Sequence, residues 1–358
     1  MATLRAEGRS WYSRARASLK SGSAIIRGMT VFWDWLRMTR SDPPGAALGD
    51  LRAADTYRSS MEQFEELIRA AATVGYAARP LPLFYALSQA GRAIVAARGG
   101  AEHQTHGLTL DRNIPADVLE AKVGPQAGGK AAGQFETVAA SIASAAIAQP
   151  VQLGALIHSL PEISIELARS TDWPKALPLF LRHAGPVRSP SQTPISLVIE
   201  DERVGEKDLA LLLKPYPNAK QIGVNPVVAQ SFPTLPTSVT TKGPGVDVIW
   251  IGDEADLDSK VPQYRYRGWR WIRPGLVEAQ PPPSALMTWW LLLFGLSMLA
   301  RYHPVPWTRA LDVDSSPVAV TLELTMNRAI DALPHLVFEA VMNVSITLPA
   351  RDSYDPFA

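Results

Sequence analysis

Ala285–Ala300 reads ALMTWWLLLFGLSMLA, sixteen residues without a charge. As an α-helix it spans about 24 Å at ~1.5 Å per residue, short of the ~30 Å hydrocarbon core of a bilayer. Pro281, Pro282 and Pro283 bound it on one side and Arg301 on the other. A helix apolar all round, and too short to span, is expected to be buried on every side by protein. The stretch therefore predicts a core helix and no membrane insertion.

Working outward, the chain alternates between helical and mixed patterning. Phe64, Leu67, Ile68 and Ala71 fall at i, i+3, i+4 and i+7, with Glu65, Glu66 and Arg69 on the opposite side. Pro80 and Pro82 end that helix. A second follows in LFYALSQAGRAIVAAR (83–98), where Ala86, Ala90 and Gly91 leave room for a close neighbour, and Gly99-Gly100 stop it. Past Pro281 the pattern is helical again. Ser315-Ser316-Pro317 opens a helix to about Asp331, and a separate one is expected over His335–Met342.

The middle of the chain mixes periods. VLEAKV (118–123), ISLVIE (195–200) and VDVIWIG (246–252) read as strands, the last as one buried on both faces. Helical stretches are expected over 133–148, 151–170 and 207–213. Loops at 184–194 and 233–245 carry much of the proline. The fold class expected is α+β, in three regions: a helical 1–107 with a basic arm, a mixed 108–280, and a helical 281–358. The two helical regions are expected to pack together around Ala285–Ala300.

Composition narrows the function. The chain has 358 residues, enough for about two domains at ~150 residues each. It has no cysteine, which excludes a disulfide framework, a thiolate nucleophile, an iron–sulfur centre and any Cys-containing zinc site. Lys plus Arg is 35 against 34 Asp plus Glu, so no global field recruits nucleic acid or acidic membranes. Arg5, Arg9, Arg14, Arg16, Lys20 and Arg27 face a single Glu7 at the start, the composition of a transit peptide or of a basic flank. Trp11, Trp33 and Trp35 favour an ordered or frayed arm. No signal-peptide core precedes a small-residue cleavage site, and a cytoplasmic location is expected.

Four stretches carry candidate chemistry. GPQAGGKA (124–131) fits G-x-x-x-x-G-K but has Ala131 where a phosphate loop needs a metal-holding hydroxyl. Lys130 is its candidate phosphate ligand, against a Gly-rich surface hairpin. In Glu102-His103-Gln104-Thr105-His106 the two imidazoles are three residues apart, but the flanking glycines predict a loop and supply no third ligand, so no metal is expected. YRYRGWRW (264–271), read as one strand, places Arg265, Arg267, Trp269 and Trp271 on one face and Tyr264, Tyr266 and Arg270 on the other. Interleaved cations and aromatic planes suit single-stranded nucleic acid; a strand burying its tryptophans while its arginines snorkel has the same sequence. Ser297 and Arg301, at i and i+4, form an anion clamp in one reading. In the other, Arg301 caps helix carbonyls or pairs with an acid, and Arg301→Ala reduces soluble yield.

A family likeness rests on particular residues. QFEELIRAA (63–71), PLPLFYALSQAGRAIVA (80–96), His106-Gly107-Leu108 and above all LFGLSMLARYHPVPW (293–307) make the chain resemble the YaaC-like proteins of bacteria. That resemblance implies a bacterial source and a fold, not a reaction. The helix–proline–helix pair also resembles HEPN domains, some of which are metal-independent ribonucleases. That second resemblance implies Arg98 and His103 as a catalytic pair, with the imidazole acting on the 2′-OH or the leaving oxygen and the guanidinium stabilising the phosphorane. It also implies a homodimer. Gly99-Gly100 interrupt the helix this pair would need, and replacing His103 by His106 leaves the HEPN spacing.

The reading adopted is a non-catalytic binding protein with no cofactor. Its expected partner is another protein, a nucleotide or RNA, held at the junction of the helical and mixed regions. The ribonuclease is the alternative.

Overall fold

The computed structural model describes residues 29–100, 105–126, 133–164, 173–181, 192–198, 214–216, 222–227, 245–251, 264–266, 269–277 and 280–344. The basic arm to residue 28, His103, Lys130, Arg267 and the expected helix at 207–213 lie outside them.

The chain is α+β, mostly helical with small antiparallel sheets in its middle. It divides into two compact units. One holds the described residues up to Ile157 together with those from Pro283 onward; the other runs His158–Pro282. Residues 108–157 thus pack with the terminal helices.

In the first unit, α1 (Met29–Ser41), α2 (Leu51–Thr73) and α3 (Pro80–Arg98) precede a three-stranded sheet of β1 (Leu108–Leu110), β2 (Lys122–Pro125) and β3 (Val151–Gln152). α4 (Gln134–Ser141) and α5 (Leu153–His158) flank β3 in sequence, and α7 (Ala285–Tyr302), α8 (Pro304–Ala310) and α9 (Ala319–Met342) complete the unit. α3 is its hub, touching α2, α4, α7 and α9. Its local chemistry explains its limits. Pro80 occupies the first turn, where a missing N–H costs nothing. Gly99 at φ 76° closes it, its N–H bonded to the Val95 carbonyl. Between them Gly91 lies flat against the Trp290 ring: a Cβ there would come within 2.3 Å of it.

α7 is the apolar run, and the protein encloses it. Residues Ala285 through Ser297 are all buried, with Trp289 and Trp290 completely inaccessible. It is the one helix, among the described residues, long and apolar enough to cross a membrane, and its surface is consumed by the core.

Several expected elements are shorter, split or joined. The 118–123 strand begins as a 3₁₀ turn, Val118–Glu120, because the Asp117 carboxylate accepts the Leu119 N–H at 2.9 Å. The 133–148 helix ends at Ser141, where Ala143 turns left-handed (φ 52°) and the Ser144 N–H reaches back to the Ala139 carbonyl. The 151–170 stretch breaks into β3, α5 and α6 (Pro161–Ser164), with Pro161 opening the last piece. In contrast, the two C-terminal helices are one. Pro334 lies inside α9, flanked on both sides by buried residues, and burial offsets the hydrogen bond it forfeits. α9 ends at Asn343 in the left-handed conformation.

Two polar clusters tie helices of this unit together. Burial pushes the Glu65 carboxyl up, but the Arg37 hydrogen bond and the charges of Arg37, Arg69 and Arg40 outweigh it, leaving it below the ordinary value. Ser88 and Gln134 bond reciprocally: Ser88 Oγ donates to Gln134 Oε1 at 2.8 Å, and Gln134 Nε2 donates to the Ser88 carbonyl at 2.7 Å.

The second unit contains α6 and a six-stranded antiparallel sheet in the order β6-β7-β5-β4-β9-β8. These strands are β4 (Leu177–Leu181), β5 (Gln192–Val198), β6 (Ile222–Val227), β7 (Gly245–Ile251), β8 (Tyr264–Tyr266) and β9 (Trp269–Ile272). Beneath it Arg273 Nε donates to the Ser159 carbonyl at 2.9 Å, and the Tyr264 hydroxyl to Glu162 at 2.8 Å. Burial lowers Arg273 to about 10 while the Glu162 charge opposes the shift.

Candidate anion-binding site

α3 is almost wholly buried, and the exception is a stripe. Tyr85, Gln89 and Arg92 lie at i, i+4 and i+7, so they share the one face the core leaves uncovered. The loop Thr105-His106-Gly107 passes beside this helix and over the start of α4. Gly107 (φ 76°) and Gly133 cross so closely that a Cβ on Gly133 would lie 2.3 Å from the Gly107 Cα. The crossing is locked by backbone hydrogen bonds from Gln134 to Thr105 (2.7 Å) and from Phe135 to His106 (3.3 Å).

The crossing sets His106 against two phenylalanines, with ring centroids 5.1 Å from Phe84 and 6.1 Å from Phe294. The ring is half-buried, and its Nδ1 is inaccessible and without a hydrogen-bond partner. Burial first, and then the positive charges of Arg92 and Arg301, push the imidazole below its ordinary value, so it is neutral at pH 7. Arg301 projects from the last turn of α7. It is exposed, lies over the Tyr302 ring at 4.9 Å, and places Nη1 3.4 Å from the Tyr85 hydroxyl. Among the described residues neither Arg92 nor Arg301 has a carboxylate partner. Two uncompensated guanidiniums therefore share the surroundings of a neutral imidazole that lacks a hydrogen-bond partner at Nδ1. Chemically this arrangement is a candidate anion site, with the Tyr85 hydroxyl accepting a hydrogen bond from one of its cations.

The other sequence candidates fall differently. Among the described residues Arg301 pairs with no acid and donates instead to the Tyr85 hydroxyl. Ser297 is buried and spends its hydroxyl on the Phe294 carbonyl at 2.8 Å, so it does not join Arg301 in a clamp. Arg98 points elsewhere, its Nη2 donating to the Ala340 carbonyl of α9 at 2.6 Å. The phosphate-loop candidate lies largely outside the described residues (127–132); just beyond it, the amides of Gln134 and Phe135 bond Thr105 and His106, and that of Gly133 bonds Glu136 Oε2 at 2.9 Å. No group of three or more His, Asp or Glu side chains is arranged for a metal among the described residues.

YRYRGWRW is a hairpin, not one strand. β8 and β9 pair antiparallel, and pairing Tyr264 with Trp271, Arg265 with Arg270 and Tyr266 with Trp269 re-sorts the faces. Aromatic positions share one face and the Arg265–Arg270 pair the other, with Tyr266 and Trp271 buried. The expected interleaving of Arg265 with Trp271 is absent, because a turn inverts the alternation that a single strand would continue.

Arg92 was missed by sequence reasoning, since one arginine among apolar helix residues carries no motif. His106 entered as half of an unsupported metal pair, in the family resemblance, and as a stand-in for His103.

A family model for YaaC-like proteins matches residues 44–341. The chain belongs to the YaaC-like family. All the residues of the site, from Tyr85 to Tyr302, fall within the matched region, so the site is built on the part of the chain that defines the family. The side resemblance to HEPN domains is not borne out. No curated protein and no solved structure matches this YaaC-like chain significantly.

Proposed function

We propose that this YaaC-like protein is a non-catalytic binding protein whose ligand carries phosphate, held by Arg92 and Arg301 beside His106. The observation that carries the reading is a pair of guanidiniums that, among the described residues, have no carboxylate partner, next to an imidazole whose buried Nδ1 has no hydrogen-bond partner there. Both positive charges act on the same imidazole, and a bound anion would offset them there. Binding through charge-assisted hydrogen bonds asks for no metal and no bound cofactor. A bacterial, cytoplasmic setting belongs to the same reading; among the described residues the single helix long and apolar enough to cross a membrane is largely buried in the core. A protein partner or a homodimer is compatible with it and is not required by it.

The test is calorimetric titration of the protein with inorganic pyrophosphate at low salt. Saturable binding in the wild type, lost in Arg92→Gln/Arg301→Gln, is the expected result. No binding by the folded wild type, or equal binding by the double variant, overturns the proposal.

A further inference from the structure

Around the two guanidiniums the surface is aromatic. Tyr302 is 54% exposed and Tyr85 41% exposed, both large rings that a core would ordinarily take up. Arg301 lies between them, stacked over one ring and touching the hydroxyl of the other. Arg92 continues the line along α3, seven residues or about 10 Å from Tyr85 at ~1.5 Å per residue. Cations and stacking planes therefore alternate along one stripe: Tyr302, Arg301, Tyr85, Arg92.

Resting on the anion-site reading above, we infer that the ligand is a single-stranded nucleic acid, with Arg92 and Arg301 on its phosphates and bases stacking on Tyr302 and Tyr85. A bare phosphate or a carboxylate would use the cations and leave both rings idle. A single strand uses both, since every base offers a π-face and every linkage a charge. A duplex buries its π-faces, so the rings disfavour it. The chain's net charge of +1 does not oppose this, because a local stripe and not a global field supplies the attraction. It is on this helical surface, not on the 264–271 hairpin, that cations and aromatics interleave.

Fluorescence anisotropy with labelled ten-nucleotide U and dT oligonucleotides, across a salt series, tests the inference against pyrophosphate binding measured separately. The wild type is expected to bind the single strands at least tenfold more tightly than a matching duplex. Tyr302→Ala should weaken single-strand binding about tenfold, consistent with one lost stack, without changing the salt slope, and should weaken it clearly more than it weakens pyrophosphate binding. Tyr302→Phe should restore it. Arg301→Gln should instead lower the slope of log K against log salt by about 0.7, one phosphate contact on a single strand. Arginine-dependent pyrophosphate binding with Tyr302→Ala indistinguishable from wild type on oligonucleotides overturns this inference and leaves the anion site standing. Loss of arginine dependence for both ligands overturns both. A preference for U over dT would assign the strand as RNA, and equal binding would assign it to either backbone.

Discussion

The guanidinium of Arg98, at the last turn of α3, donates a 2.6 Å hydrogen bond to the carbonyl of Ala340, 242 residues further along the chain. The contact fastens the end of one core helix to the end of another, so its role is architectural.

Arg98→Ala should therefore cost about 1.5–3 kcal/mol, the range for a hydrogen bond from a charged donor, and loosen the last turn of α9. A urea melt and amide exchange over 336–342 check it. A loss under about 0.5 kcal/mol would show that the bond carries no weight.

Two helix glycines should respond unequally to the same substitution. In Gly91→Ala the new methyl meets the Trp290 ring at 2.3 Å and Val138 at 3.0 Å, and the ring has nowhere to go. In Gly295→Ala it meets one methyl of Leu153 at 2.5 Å, which a rotamer change can move. Gly91→Ala is expected to destabilise by about 1–3 kcal/mol or more through overpacking, and Gly295→Ala by clearly less. Equal thermal shifts would refute the distinction.

His335 should make the fold acid-sensitive. Burial pushes its imidazole down to about 3, while an Asp331 backbone hydrogen bond opposes the shift. Between ~6.5 and that value the unfolded chain binds a proton that the folded one refuses. Stability is thus fully present above ~6.5 and falls by about 1.4 kcal/mol per pH unit below it. His335→Gln should flatten the urea midpoint between pH 7 and 5. An unchanged slope in the variant would assign the acid sensitivity to other groups.

Anion binding should strengthen in acid. His106 is held below the ordinary histidine value, first by burial and then by the charges of Arg92 and Arg301, so protonating it in acid adds a third positive charge beside them. Pyrophosphate affinity measured at pH 7.5 and 5.5 should rise in the wild type and rise less in His106→Gln. Arg301→Ala, at an exposed position, should change stability by no more than about 0.5 kcal/mol while weakening that binding. A severely destabilised Arg301→Ala protein would return Arg301 to a packing role.

The sequence by itself determined that Ala285–Ala300 is a core helix, because sixteen uncharged residues leave no side a solvated helix can show to water. It also determined where α3 stops, since Gly99 acts on the backbone of its own turn, while its start at Pro80 lies before the expected 83. Where boundaries depended on burial, local rules failed: Pro334 should end a helix, and the surrounding core carries α9 straight through it. The hairpin at 264–272 was hidden for a related reason, because alternation looks the same in one strand as in two until a partner fixes the register. The site depended on tertiary structure altogether. Arg92, His106 and Arg301 have no common spacing, and each alone reads as an ordinary polar residue. They become a candidate site only because the crossing of Gly107 and Gly133 brings the His106 loop down beside α3, and because α7 ends against Tyr85. Charge acts through space, and only the packed helices decide which charges share it.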